Sequence, residues 1–313
     1  MSSLNAPAFP PLTDRIPLGV AMMLGFCAVG PLIDVAAKMA SQSVSITQVT
    51  FARMVVQTLL MAPVLAMMGR GFGFSQRQLG WLVGRAFLLI GSTYAFVAAV
   101  QVMPIADALA IVFVEPFILL ALGYAVFGDQ VGPRRIVAAL VGFAGALLVI
   151  QPNFALFGAV ALFPLATAVC FALYILLTRH LSRAMAPEAM QFHTAFLGVL
   201  IMLPVLAFGA LVGIEDLALS NPPAHVWIEL AGVGLAATVA HMLITYALRF
   251  APSATLAPLH YLEILGAVLF GYLFFDDWPN ALSWTGIAVI SSAGLYIIAR
   301  ERQLARAARR PAP

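Results

Sequence analysis

Glu115 stands alone in the apolar run "VFVEPFILL", and 148 residues further on Glu263 stands alone in "HYLEILGAV". A carboxylate in hydrocarbon costs several kcal/mol unless something compensates it, and such residues mark proton or substrate pathways. Each acid can take a proton from one side of a membrane and release it to the other, or pair with an amine on a substrate. His260 precedes Glu263 by three residues, a helical spacing that puts both side chains on one face and lets them share a proton. Glu115, Glu263 and His260 are therefore the expected coupling residues. The plainer alternative is that each is satisfied by a neighbouring helix and only orders the bundle. No HExxH or CxxC pattern occurs, and Cys27 and Cys170 both fall in apolar segments. Neither a metal nor any other cofactor is expected.

Other polar and aromatic residues gather around these. Tyr94, Gln101, Phe113, His241, Tyr246 and Tyr261 are the expected cavity residues, because rings with polar tips suit amphipathic ligands. His241 serves equally well as a satisfied interhelical histidine. Asp34 and Lys38 are spaced i, i+4 near the end of the first apolar run, and Arg53 lies one to two turns into the second run from the same side. The three are expected to form an outer gate, against the alternative of an interfacial ion pair with Lys38 snorkelling to headgroups. Ala138, Gly142 and Ala146 form a small-residue ladder, expected to pack helices within the chain rather than between two copies.

The elements that must position these residues follow from composition. Of 313 residues, 63% are hydrophobic and 9% charged, with a mean hydropathy of +1.01. A soluble domain carries about 25% charged residues. Long apolar runs predict an all-α polytopic membrane protein with ten transmembrane helices, near 16–39, 46–68, 79–100, 104–127, 133–151, 157–180, 189–212, 226–249, 252–275 and 282–300. Arg15, Arg70, Arg77, Arg85 just inside the third run, Arg134, Arg135, Arg179, Arg183, Arg249 and the arginines of the tail fall on one side, whereas "PNFAL" and "GIEDLALSNPPAH" carry no Lys or Arg. Both termini are then cytoplasmic in an inner-membrane protein, and the net charge of +3 is a topology signal rather than a sign of nucleic-acid binding. The Pro-rich start lacks a basic n-region, and the first run is too long for a cleaved signal peptide.

The segment "PIADALAIVFVEPFILLALGYAVFGD" aligns without a gap on "PSATLAPLHYLEILGAVLFGYLFFDD" at an offset of 148, with seven of 26 positions identical. The matches include Pro104/Pro252, Glu115/Glu263, Tyr124/Tyr272 and Asp129/Asp277. Two halves of five spans follow: a tail over 1–15, a repeat over 16–151, a second over 157–300 and a basic tail over 301–313. Five is odd, so the second half enters the membrane inverted, the usual architecture of alternating-access transporters with a midplane site.

These residues, with "DVAAKMASQSVSITQVTFAR", "GFAGALLVIQP" and "YALRFAPSATLAPLHYLE", resemble the EamA-like branch of the drug/metabolite transporter superfamily over nearly the whole chain. The resemblance implies a ten-helix metabolite carrier whose central cavity excludes the fifth and tenth helices. Where the first repeat has Pro116 the second has Ile264, which puts a kink in span nine in question. The expected function is secondary active transport of a small metabolite by alternating access, coupled to protons. The resemblance suggests export of amino acids or related compounds as the leading direction, with uptake of a vitamin or nucleoside-like compound the alternative. An intramembrane enzyme or a receptor is a remote third. No GxxxxGK(S/T) loop is present, and no nucleophile–base set argues for an enzyme. The expected partners are the substrate and membrane lipid, with the chain a monomer or homodimer.

Overall fold

The computed structural model describes residues 15–69, 73–103, 105–129, 131–150, 158–182, 184–275 and 280–308. Arg70, Pro104, Arg183, Asp277, Arg309, Arg310, the "PNFAL" connection and the first fourteen residues, all invoked above, lie outside them. Among the described residues every regular element is a helix. In chain order these are α1 (Ile16–Ala40), α2 (Ile46–Met67), α3 (Gln76–Val102), α4 (Ile105–Val112), α5 (Glu115–Phe127), α6 (Pro133–Ile150), α7 (Leu162–Leu181), α8 (Pro187–Val212), α9 (Ala224–Phe250), the single turn α10 (Ser253–Leu256), α11 (Glu263–Phe275) and α12 (Ala281–Ala308). Eight helical segments among the described residues are long and apolar enough to cross a membrane. We call the end of the bundle where α1 begins the near face, and the other the far face.

Local sequence sets the helix boundaries. Ser75 and Gln78 form a reciprocal capping box at the start of α3, and the Ser45 hydroxyl caps α2 by accepting from Gln48 N–H at 3.2 Å. Pro31, Pro63 and Pro204 sit inside α1, α2 and α8, where each removes a ladder hydrogen bond.

The expected fourth span is two helices, α4 and α5, separated at Phe113–Val114. Pro116 in the first turn of α5 explains the break, because it lacks an N–H and its ring clashes with the carbonyl four residues back. The ninth span is interrupted at the equivalent place even though Ile264 replaces the proline. Residues Ala257–Leu262 wind as a 3-10 helix with Pro258 in second place, and the α-helix resumes at Glu263. Both glutamates are thus the first residue of a half-helix. At Glu115 the break leaves the positive end of the α5 dipole to lower the cost of a buried carboxylate.

The packing pairs come in exchanged couples. α1 packs on α9, and α3 on α7; α1 packs on α11, and α7 on α5; α2 packs on α9, and α8 on α3. Replacing each helix by its counterpart in the other half turns one member of each couple into the other. α6 and α12 pack chiefly on each other, so closely that a Cβ on Gly286 would lie 2.6 Å from the Gly145 carbonyl oxygen. The small-residue ladder of α6 is used inside the chain. Ala138 and Ala146 are buried, and Gly142 leaves room for the Tyr261 ring.

Candidate functional site

A cavity of about 100 Å³ opens between the helices and is lined from Phe26, midway along α1, to Ala37 in its last turn. It therefore lies in the far half of the bundle. Its apolar wall carries Phe26, Phe96, Phe113 and Phe171, and its polar wall Asp34, Arg53, Glu115, His241, His260 and Glu263. Phe26 and Phe171 stack with centroids 6.4 Å apart, and both rings also lie against His260, at 5.2 and 6.0 Å.

At the cavity floor His260 is held between two carboxylates from opposite halves of the chain. Its Nδ1 is 2.7 Å from Glu115 Oε2 and its Nε2 is 3.0 Å from Glu263 Oε2. A neutral imidazole has one N–H and two carboxylates have none. The arrangement therefore holds one further proton, on the ring or on a carboxyl. Gly30 on α1 makes room for it, since a Cβ there would collide with Glu263 Oε1.

A second network starts on α2. Arg53 donates to the Thr93 hydroxyl and, at 2.6 Å, to His241 Nε2. His241 must then carry its proton on Nδ1, which donates to the Tyr174 hydroxyl at 2.8 Å. Tyr174 also accepts from Arg85 at 2.5 Å. Arg85 is 0% exposed, and its remaining donors reach Thr178, Thr194, Gln191 and the Met190 carbonyl. All five partners of this buried cation are neutral acceptors, so the charge is solvated by α7 and α8 rather than neutralised. Asp34 lines the same cavity as Arg53.

A third cluster closes the near face. Gly128, with φ of 66° and ψ of 28°, ends α5 in the left-handed conformation that glycine favours, and Asp129 N–H then bonds back to Gly123 O at 3.1 Å. The turn aims the Asp129 carboxylate at Arg179 in the last turn of α7. Two hydrogen bonds join them, at 2.5 and 2.7 Å, and Ser253 at the start of α10 accepts from Arg179 at 2.8 Å while donating to Asp129 at 3.0 Å. The Arg179 guanidinium also lies 4.2 Å from the Phe127 ring centre. Burial raises the affinity of the Asp129 carboxyl for a proton. The hydrogen bonds and charge of Arg179, with help from Ser253 and the Ala254 N–H, outweigh it and hold the group below the ordinary carboxylate value.

Of the residues singled out from sequence, Glu115, Glu263, His260, Phe113, His241, Asp34 and Arg53 line this one cavity. Four others face elsewhere. Tyr94 is 37% exposed on the outside of α3, Gln101 is an exposed residue bonding the Ser41 carbonyl, and Tyr246 turns to Glu188. Tyr261 is buried behind the wall and donates to the Phe113 carbonyl at 3.0 Å. Helix phase is the reason, since each sits on a face of its helix turned from the cavity. Lys38 does not line the cavity that Asp34 and Arg53 share. Sequence reasoning missed Arg85, Tyr174, Gln191 and the Asp129–Arg179–Ser253 cluster. Arg85 and Arg179 read as topology signals, although both lie inside apolar runs, and that displacement was the available clue.

The EamA-like transporter family model matches residues 17–151 and 157–300, nearly the whole chain. The chain belongs to the EamA-like transporter family. As a member it is an integral membrane transporter rather than an enzyme, and its substrates are small molecules. A riboflavin transporter of Brucella anthropi is 25% identical over 288 residues, covering 91% of this chain and 100% of the relative. One of Rhizobium johnstonii is 32% identical over 212 residues, covering 68% of each. An S-adenosylmethionine uptake transporter of Rickettsia prowazekii is 21% identical, covering 91% of this chain and 94% of the relative. A crystal structure at 18% identity superposes with a TM-score of 0.69 over 93% of this EamA-like chain and 99% of its own, which speaks for the fold alone.

Proposed function

We propose that this transporter carries a flat heteroaromatic vitamin of the riboflavin type into the cell by alternating access. The observation that carries this reading is the cavity itself, where four phenylalanine rings face a polar wall closed at its floor by Glu115, His260 and Glu263. Four rings around one cavity suit a flat ring system with polar edges. The names of the relatives support the same reading, riboflavin transporter for the substrate and S-adenosylmethionine uptake transporter for the direction.

The chain crosses the inner membrane ten times as two inverted halves, 16–151 and 157–300, with both termini cytoplasmic. The exchanged packing couples support this reading, as does the restart of a helix at Glu115 and again at Glu263. The near face is then cytoplasmic. It is closed by Asp129, Arg179 and Ser253, while the cavity extends toward the outside. Its volume of about 100 Å³ is below the roughly 300 Å³ at which drug-sized ligand sites begin, so the helices part to admit substrate. The proton held by Glu115, His260 and Glu263 is the coupling proton. When it moves to Glu115, the tie between that carboxyl and His260 weakens, and the two halves separate at the floor.

The test is riboflavin uptake into proteoliposomes containing wild type or Glu115→Gln at equal protein level. Wild-type uptake driven by an imposed pH gradient, abolished in the variant, is expected. A wild type that moves no riboflavin overturns the substrate, and a Glu115→Gln variant as active as wild type overturns the coupling role.

A further inference from the structure

Of the charged and imidazole side chains on the polar wall, all but one are engaged with protein. Glu115 and Glu263 flank His260, and Arg53 holds Thr93 and His241. Asp34 is the exception. It lines the cavity, is half-buried, and forms no hydrogen bond or ion pair among the described residues. Helix phase turns it inward: Phe26, Gly30, Ile33, Asp34 and Ala37 of α1 all line the cavity. Counted from Phe26 the others lie four, seven, eight and eleven residues on, which is one face of a helix. The same helix sets the depth of Asp34. Gly30 abuts the Glu263 carboxylate at the cavity floor, and Asp34 stands one turn, about 6 Å, further toward the far face. The rings of Phe26 and Phe171 lie against His260, at the floor.

A flat ring system held against those two rings sends a side chain toward the far mouth, past Asp34. An ionised carboxylate offers only acceptors, so the chain that satisfies it carries donors. We infer that Asp34 accepts hydrogen bonds from the hydroxyls of a polyol chain on the substrate, which in riboflavin is the ribityl chain, while the ring system occupies the floor. This rests on the proposed vitamin uptake and specifies how the site distinguishes the vitamin from its bare ring. A five-carbon chain is long enough to span the one turn between floor and Asp34. A site built to hydrogen-bond a hydroxyl rejects the analogue that lacks it, because its own polar group is then left buried and unpaired.

The experiment is competition for uptake of labelled riboflavin by the full-length protein in proteoliposomes. The competitors are unlabelled riboflavin and lumiflavin, which keeps the ring system and carries a methyl group in place of the ribityl chain. In wild type we expect lumiflavin to be weaker by about tenfold or more. In Asp34→Ala riboflavin should weaken by about the same factor while lumiflavin moves less than about twofold, so that the two compete nearly alike. Asp34→Asn keeps the volume and breaks no hydrogen bond between helices, and it decides the matter if the alanine variant does not fold. There the gap should narrow, because a neutral amide is the weaker acceptor. Equal competition by the two flavins in wild type overturns the assignment and leaves riboflavin uptake standing. A gap that persists unchanged in the Asp34 variants overturns it too. If riboflavin itself is not taken up, the functional reading fails and the role of Asp34 with it.

Discussion

Neutralising Asp129 should open the near face. In Asp129→Asn, Arg179 loses two charge-assisted hydrogen bonds of 2.5 and 2.7 Å, formed between side chains only 7% and 9% exposed. It keeps Ser253 and the Phe127 ring. Hydrogen bonds to charged groups contribute a net of about 1.5–3 kcal/mol, so the loss is about 2–3 kcal/mol. If the pair forms only while the near face is closed, the closed-to-open ratio falls roughly 30- to 150-fold, at 1.36 kcal/mol per factor of ten. A reporter cysteine at Ala254, which is 0% exposed beside Ser253, placed in a background with Cys27 and Cys170 replaced, reads this directly. Alkylation by an impermeant maleimide applied to inside-out vesicles should accelerate by that factor in Asp129→Asn, and similarly in Arg179→Met. The pH dependence follows from the sign of the Asp129 shift. A carboxyl held below its ordinary value, near pH 3.9, stabilises the closed face fully above that pH and loses the contribution only as pH falls through the lowered value. Wild-type labelling should therefore be flat between about pH 5 and 8. Unchanged labelling in both variants would refute the latch.

Three further substitutions test the surrounding geometry. Gly30→Ala places a methyl where Glu263 Oε1 lies, so transport should fall at least tenfold while the detergent melting temperature moves little; full activity would mean that the Glu263 position is not critical. Gly286→Ala drives a Cβ into the Gly145 carbonyl and Val149 and should cost about 1–3 kcal/mol by overpacking α6 against α12, read as a lower melting temperature. Arg85→Ala takes the donor away from Tyr174 and Gln191 and leaves a void between α3, α7 and α8. A loss of about 2–4 kcal/mol is expected, seen as reduced folded yield in size-exclusion chromatography; a yield equal to wild type would contradict the network's role.

The fold was legible because membrane helices announce themselves in apolar runs, and the repeat because two midspan glutamates, two tyrosines and two aspartates recur at one spacing. The break before Glu263 was not, since its trigger, Pro258, lies six residues before Ile264, the position at which the first repeat carries its proline. The site was half legible. Glu115, His260 and Glu263 stood out because charge in an apolar run is conspicuous. The partner of Arg53 was not: Thr93 and His241 come from α3 and α9, and only the packing of the bundle brings them to α2. Tyr94, Gln101, Tyr246 and Tyr261 were misplaced for the opposite reason, because residue type names a candidate but helix phase decides which way it points. Arg179 hid among arginines that need only mark a membrane side.

The six residues Ala257–Leu262 have a mechanical consequence. A 3-10 helix rises about 2.0 Å and turns about 120° per residue, whereas an α-helix rises 1.5 Å and turns 100°. Rewinding this segment as α-helix would shorten it by about 3 Å and rotate α11 against α10 by roughly 120°. Glu263, the first residue beyond it, would travel along a screw path relative to α10. The equivalent stretch of the first half is already α-helical up to Val112, with only Phe113 and Val114 outside the regular winding. One chain therefore displays both pitches of the same thread.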